Sequence, residues 1–337
     1  MAGFDSLPCR HRKSEKAMRR YFQSLVLLGT MATAAVCCDR RSLLDTERTP
    51  LEFAVGVETK SVVYGGSLPA SYALCMSAHL SDSRVSSNDM DYFTAHTFVH
   101  ENGTWKGSPE IYWPLSGRLD FLCLAAEPSG PDLASLCRWA EGNASKGVIA
   151  DIPDGTAVGT EVLYAAASAP QAGSATPHLT MKHSQCLQRF TFTSNASNLI
   201  RIDGIVIDSP YTGGRLTVLN DAFLTASWDF EGHSPHHNYT VPGSVSMVLG
   251  MQPRTVDVLL PQQEASRIVI HYRRRDTIST GWNEASLQST VVYVPKTGTW
   301  LAGKCYEYAI QAKLDEFIVS VSITPWGPAL SQVSTLL

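Results

Sequence analysis

Three short runs between residues 187 and 207 decide the fold class: Leu187-Gln-Arg-Phe-Thr-Phe192, Leu199-Ile-Arg-Ile202 and Gly204-Ile-Val-Ile207. Each is rich in β-branched or aromatic residues, and each is too short for a helix. They read as three strands. The same style continues to the end of the chain. Arg215-Leu-Thr-Val-Leu219 follows the turn Tyr211-Thr-Gly-Gly214. Then come Thr255–Leu260, Arg267–Tyr272, Ser289–Val294, Tyr306–Ile310 and Phe317–Ile323. Many short strands with turn signals between them predict β-sandwiches.

Working back toward the N-terminus, the pattern holds. In Leu51-Glu-Phe-Ala-Val-Gly-Val57 the residues Leu51, Phe53, Val55 and Val57 alternate, as a half-buried strand requires. Tyr72, Leu74 and Met76 alternate in the same way. Tyr92–Phe98 reads as a strand, Asn102-Gly103 gives a hairpin signal, and the chain returns from Trp105 to Trp113. Pro114 and Gly117 break that return, Leu119–Ala125 reads as a buried strand, and Thr160–Ala165 as a closing one. Residues 131–140 predict one short helix with Pro131 in its first turn. Residues 166–177, Ala-Ala-Ser-Ala-Pro-Gln-Ala-Gly-Ser-Ala-Thr-Pro, are small, uncharged and broken by prolines. They predict a boundary between a domain over 51–173 and a second over 174–337.

The first 50 residues differ in kind. Arg19 and Arg20 precede an apolar run, Leu25–Leu28, that passes through small residues to Cys37 and Cys38. This is the pattern of a secretory signal, and one ending on cysteine matches a bacterial lipoprotein. Cys38 is the preferred acylated residue and Cys37 the alternative. An ordinary signal with incidental cysteines is the plainer reading. Residues 1–38 are thus expected to be an N-terminal extension plus signal, with Met18 the natural start, and 39–50 a flexible tether.

The chain has a net charge of −4, and only 17% of its residues are charged. No general basic surface for nucleic acid follows from this. Beyond the signal lie Cys75, Cys123, Cys137, Cys186 and Cys305, with no CxxC and no regular spacing. They read as small buried residues, with one disulfide left open and no pair selected. No nucleotide loop, HExxH or GxSxG motif is present, so no cofactor, metal or catalytic residue is expected. His233, His236 and His237 sit among Gly and Pro and read as a polar loop before a metal site. Lys182-His183 reads as structural, and Arg273-Arg274-Arg275 as a solvated strand end. Tyr112-Trp113, Trp228, Trp300 and Trp326 read as core and corner aromatics.

The order of these aromatics carries a resemblance. Trp105-Lys-Gly, Ile111-Tyr-Trp-Pro114 and Leu119-Asp-Phe-Leu122 come first, with Glu161–Tyr164 after them. Leu179–His183, Leu259–Gln263, Ile268–Tyr272, Trp300–Lys304, Tyr306-Glu-Tyr308 and Thr324-Pro-Trp326 follow. The set resembles the fimbrillin-like lipoproteins, the type V pilins of Bacteroides-type bacteria. That resemblance implies an all-β chain with two transthyretin-like β-sandwich domains in tandem after the lipoprotein signal. It implies a non-enzymatic structural or accessory subunit of surface fimbriae, contributing to adhesion and placed at the outer membrane by its lipid. The partners implied are other fimbrial subunits and the outer membrane, with a host protein or glycan as a further one. It also implies that a trypsin-like protease removes the N-terminal segment and first strand, and that another subunit's strand fills the gap. Here the removable strand would be Leu51–Val57. Lys60 stands where many relatives carry arginine, Arg48 lies before the strand, and residues 327–337 form the candidate donor tail. The alternative is a lipid-anchored surface binding protein that never polymerises. An exported enzyme is a third reading, for which the sequence offers no polar pocket.

Overall fold

In Leu119-Asp-Phe-Leu-Cys-Leu-Ala-Ala126 nearly every residue is apolar, so a strand formed here must be covered on both faces. A computed structural model shows this arrangement. It describes residues 49–57, 66–81, 90–127, 130, 132–139, 146–169, 176–196, 198–292, 298–314 and 316–326. The signal, Cys37, Cys38, Arg48, Lys60 and the 327–337 tail lie outside these residues.

Among the described residues strand is the dominant element and helix is confined to a single turn, as the composition predicts. In order, the strands that build the N-terminal half are β1 (Glu52–Val57), β2 (Gly66–Ser67), β3 (Ala73–Ser81), β4 (Met90–Glu101), β5 (Thr104–Gly107), β6 (Arg118–Ala126), β7 (Cys137–Trp139), β8 (Gly147–Ile152) and β9 (Val162–Ala169). They continue with β10 (His178–His183), β11 (Gln185–Ser194), β12 (Ile200–Ile207), β13 (Gly214–Leu219) and β14 (Thr225–Asp229). The last nine are β15 (Tyr239–Thr240), β16 (Met247–Val248), β17 (Arg254–Pro261), β18 (Gln263–Glu264), β19 (Ile268–Arg274), β20 (Gln288–Val292), β21 (Thr299–Trp300), β22 (Lys304–Ala312) and β23 (Phe317–Pro325).

The first sheet runs β10-β9-β6-β3-β4-β5-β1-β2, and β1 also pairs with β10. That extra pairing closes β1, β5, β4, β3, β6, β9 and β10 into a ring. Where the resemblance implies a simple sandwich, the N-terminal half is barrel-like, with Phe53, Met76, Phe98, Phe121, Leu163 and Met181 inside it. The reason is local: closing the sheet on itself removes both edges, and β1 and β10 supply the last ladder. On the outer face of the ring, Cys75, Leu122, Leu124, Val162 and Tyr164 meet Val148, Ala150, Leu216 and Val218 of a second sheet, β14-β13-β8-β7. Strands β3, β6 and β9 are therefore buried on both faces.

The helix expected over 131–140 is a single turn, Leu133–Leu136. Its N-cap, Asp132, makes no side-chain cap bond, and no acidic residue stands in the first turn. With little to hold a helix end, the chain passes into β7, which pairs with β8.

The remainder forms two facing sheets, β17-β11-β22-β23 and β15-β12-β19-β20. Between them lie Phe190, Phe192, Ile202, Ile205, Ile270 and Trp300, with Tyr308 stacked on Phe190 at 4.9 Å. Strand pairing crosses the expected boundary at residues 173 and 174: β10 pairs with β1 and β9, and β13 pairs with β8. Each of these is a non-local ladder with no trace in local composition.

Candidate functional site

The site begins with the alternation at β1. Leu51, Phe53, Val55 and Val57 are all buried, while Glu52 and Ala54 are only partly so. Phe53 is fully enclosed and meets two rings edge-on, Phe98 at 5.4 Å and Phe121 at 4.9 Å. That geometry sets the positive edge of each ring against the negative face of its neighbour.

Both edges of β1 are hydrogen-bonded. On one side it runs parallel to β10, with Ala54–Val57 against His178–Met181. On the other it pairs antiparallel with β5 (Glu52 with Lys106, Phe53 with Trp105) and then with β2 (Gly56 with Ser67, Val57 with Gly66). The Leu51 amide donates to the Ile111 carbonyl at 2.8 Å, and the Ala54 amide donates to the Pro177 carbonyl at 3.0 Å. On the outward face the Lys106 ammonium meets the Glu52 carboxylate at 2.9 Å, which holds the Lys106 pKa above its usual range.

The four residues expected to form the exchanged strand are therefore brought together on one buried face. Trp105 on β5 and Leu179 and Met181 on β10 flank β1; the sequence reading named these segments but did not place them beside it. The signal that could have found β10 is the alternation of Leu179, Met181 and His183, all three buried. The pairing of β10 with β1 has no local signal.

A second feature lies where β10 hands the chain to β11. The buried Glu161 carboxylate accepts from the Tyr72 hydroxyl at 2.7 Å and lies 2.6 Å from Nδ1 of His183. Burial pushes the Tyr72 phenol well up, and the Glu161 charge adds to the shift. His183 stacks on Trp326 at 4.0 Å. Gln185 is fully buried: its Oε1 accepts from the Val162 amide, and its Nε2 donates to the Ala157 and Thr160 carbonyls. Lys182-His183 is thus structural, as read.

Most of the remaining sequence candidates have partners within the chain, though the buried indole nitrogens of Trp300 and Trp326 make no hydrogen bond among the described residues. His233 pairs with Asp154 at 2.9 Å, and His236 meets Tyr239 edge-on. Arg273 bonds Asp203 and Glu284, and Arg275 lies over Trp282, so the arginine run is engaged within the chain rather than solvated. Trp300 and Trp326 are buried, and the Trp228 indole donates to the Ser184 carbonyl. Among the described residues no group of acidic, His and Cys side chains could hold a metal ion, and no helix is long and apolar enough to cross a membrane.

A family model described as fimbrillin-like matches residues 74–326. The chain belongs to the fimbrillin-like family. This places it among fimbrial and adhesion-related proteins. No curated protein matches it. Among solved structures, one described as a candidate cell adhesion protein from Bacteroides ovatus is 14% identical, with 83% of this chain and 98% of that one covered and a TM-score of 0.51. A similar protein from Bacteroides uniformis is 13% identical, with 84% and 99% covered and a TM-score of 0.50. The tip fimbrial protein Mfa3 from Porphyromonas gingivalis is 11% identical, with 82% and 100% covered and a TM-score of 0.40. At these identities the likeness concerns the fold.

Proposed function

We propose that this fimbrillin-like protein is a structural or accessory fimbrial subunit, exported as a lipoprotein on Cys38 or Cys37 and assembled by strand exchange. The observation that carries the reading is β1. It is the N-terminal strand of the ring, it is hydrogen-bonded on both edges, and its Phe53, Val55 and Val57, with Leu51 just before it, fill the ring interior. A cut after Lys60 would remove the lipid, the tether and β1 together. The backbone groups of β5 and β10 would lose their partners, and an apolar slot would open between them. Four such side chains at about 1.5–3 kcal/mol each correspond to roughly 6–12 kcal/mol of burial. An incoming strand recovers that burial, less the cost of association. Residues 327–337 are the proposed donor, and other subunits of the fimbrium the partners.

The competing reading, a lipid-anchored binding protein that stays monomeric, draws on one observation. With β1 in place the ring is closed by its pairing with β10. Mass spectrometry of the mature N-terminus from cells separates the two. A chain starting near Ser61 supports the subunit. A chain starting at an acylated Cys38 or Cys37 overturns it in favour of the anchored binder.

A further inference from the structure

The sheets of the described residues end on strands of different kinds, and one of these edges is unprotected. Strands β2, β7, β15, β18 and β21 are only two or three residues long. Strand β14 ends on Asp229, and β20 has five residues. Strand β17 is longer, but Arg254 and Asp257 stand on it and Pro261 closes it. Short length, charge and proline are the devices that keep a strand edge from pairing with another chain. Strand β23 has nine residues and closes the sheet β17-β11-β22-β23, with β22 its one ladder partner among the described residues. Phe317-Ile-Val-Ser-Val-Ser-Ile-Thr324 carries no charge and no proline. Its register on β22 is unbroken from Ala312 with Phe317 to Lys304 with Pro325, so no bulge turns the edge aside.

Strand alternation gives β23 two rows of side chains. Phe317, Val319 and Val321 pack against the C-terminal core yet stay only partly buried, and Ile323, next in that row, is exposed. Tyr272 of the facing sheet reaches Phe317 at 4.4 Å. Ile318, Ser320 and Ser322 form the outer row, and all three are exposed. Around Ser320 the pattern is self-complementary. When two copies of β23 lie antiparallel with a two-fold axis at Ser320, Val319 of each copy opposes Val321 of the other, and Phe317 opposes Ile323. On the outer face Ser320 opposes Ser320, and Ile318 opposes Ser322. Apolar side chains meet apolar ones on the inner face, and no charge meets a like charge on either. A slip of one residue would turn one copy's inner row to the outer face, so the alternation fixes the register.

We infer that β23 is a docking edge for a second copy of this chain, and that two C-terminal sandwiches join through antiparallel β23 strands about a two-fold axis at Ser320. The two four-stranded sheets then run on as one continuous sheet. The backbone groups along the open edge gain partners, and the half-open row from Phe317 to Ile323 is covered. The contact is isologous: the same surface serves on both copies, so it closes at a dimer. Strands β1, β5 and β10 belong to a different sheet. The contact is therefore open to the uncut precursor and is one that strand exchange does not use.

The test uses the uncut full chain in sedimentation equilibrium over a concentration series. The expected result is a reversible monomer–dimer equilibrium. Ser320→Lys sets two ammonium groups against each other at the axis, and its side chain is exposed in the monomer. It is expected to abolish the dimer at an unchanged melting temperature. Ser320→Cys keeps a small side chain and brings two thiols across the axis at a separation a disulfide spans. With hydroxyethyl disulfide it is expected to cross-link into a dimer faster than Ser227→Cys, an exposed position on the β14 edge. A chain that stays monomeric throughout the series overturns the inference. So does a dimer that Ser320→Lys leaves intact, or a Ser320→Cys chain that cross-links no faster than the control. If a chain ending at Trp326 dimerises where the full chain does not, residues 327–337 cover the edge and the inference is overturned as well. Neither readout needs cleavage at Lys60, so failure here and failure of strand exchange are told apart.

Discussion

Replacing Phe53 with alanine tests the register on which the site depends. Phe53 is fully enclosed and touches Phe98 and Phe121 edge-on at 5.4 and 4.9 Å. Its removal deletes a ring from a closed interior, where neighbours held by strand ladders cannot collapse into the space. Buried Phe→Ala changes cost about 3–5 kcal/mol, and this site belongs at the upper end because each lost aromatic pair adds about 0.5–1.5 kcal/mol. The control is Glu52→Ala, one residue away on the outward face, which loses only the exposed pair with Lys106. Such pairs contribute little, so its unfolding midpoint should match the wild type within error. Both are measured by equilibrium urea unfolding followed by tryptophan fluorescence. A loss below about 1 kcal/mol for Phe53→Ala would refute the reasoning. Equal losses for both variants would mean that Phe53 and Glu52 do not lie on opposite faces of β1, and that the strand is shifted by one residue against its neighbours.

Other consequences follow from the same geometry. Gln185→Ala should cost about 3 kcal/mol, because the Val162 amide and the Ala157 and Thr160 carbonyls lose their buried partner; a near-neutral result in urea unfolding would show that these groups find others. Gly213→Ala should cost about 2 kcal/mol, since its Cβ would stand 2.5 Å from the Pro153 carbonyl and the backbone must shift; an unchanged melting temperature contradicts the close approach of these segments. Burial raises the phenols of Tyr72, Tyr239, Tyr306 and Tyr308, with the Glu161 charge adding at Tyr72. A phenol raised in the folded state contributes stability fully present below the unfolded value, about pH 10, and lost as pH rises above it. Stability should therefore fall as pH rises through about 9 to 11, and Tyr72→Phe should show a shallower fall; an identical slope refutes the assignment.

The elements themselves were largely legible in the sequence. Leu51–Val57 alternates and contains β1. Thr255–Leu260 and Tyr306–Ile310 lie within β17 and β22, and Phe317–Ile323 lies within β23. Period-two alternation is a local property, visible to anyone reading seven residues. What escaped is pairing at a distance. Nothing in Gly214–Leu219 announces that it lies against Gly147–Ile152, and nothing in His178–His183 shows that it closes a ring with β1. The 166–177 segment has a linker's composition, yet residues on either side of it share sheets. Small residues permit a linker, but Ala165, Ala167 and Ala169 also serve as strand residues against β6. The helix expected at 131–140 is shortened to the single turn Leu133–Leu136, because no side-chain cap holds its start.

The central claim is that β1 can leave and be replaced. The most direct measurement is to treat the purified precursor with trypsin and run it unboiled on an SDS gel, with N-terminal sequencing of each band. The account predicts a ladder of SDS-resistant multimers whose chains begin at Ser61. Chains beginning at Ser61 that run only as monomer would contradict it.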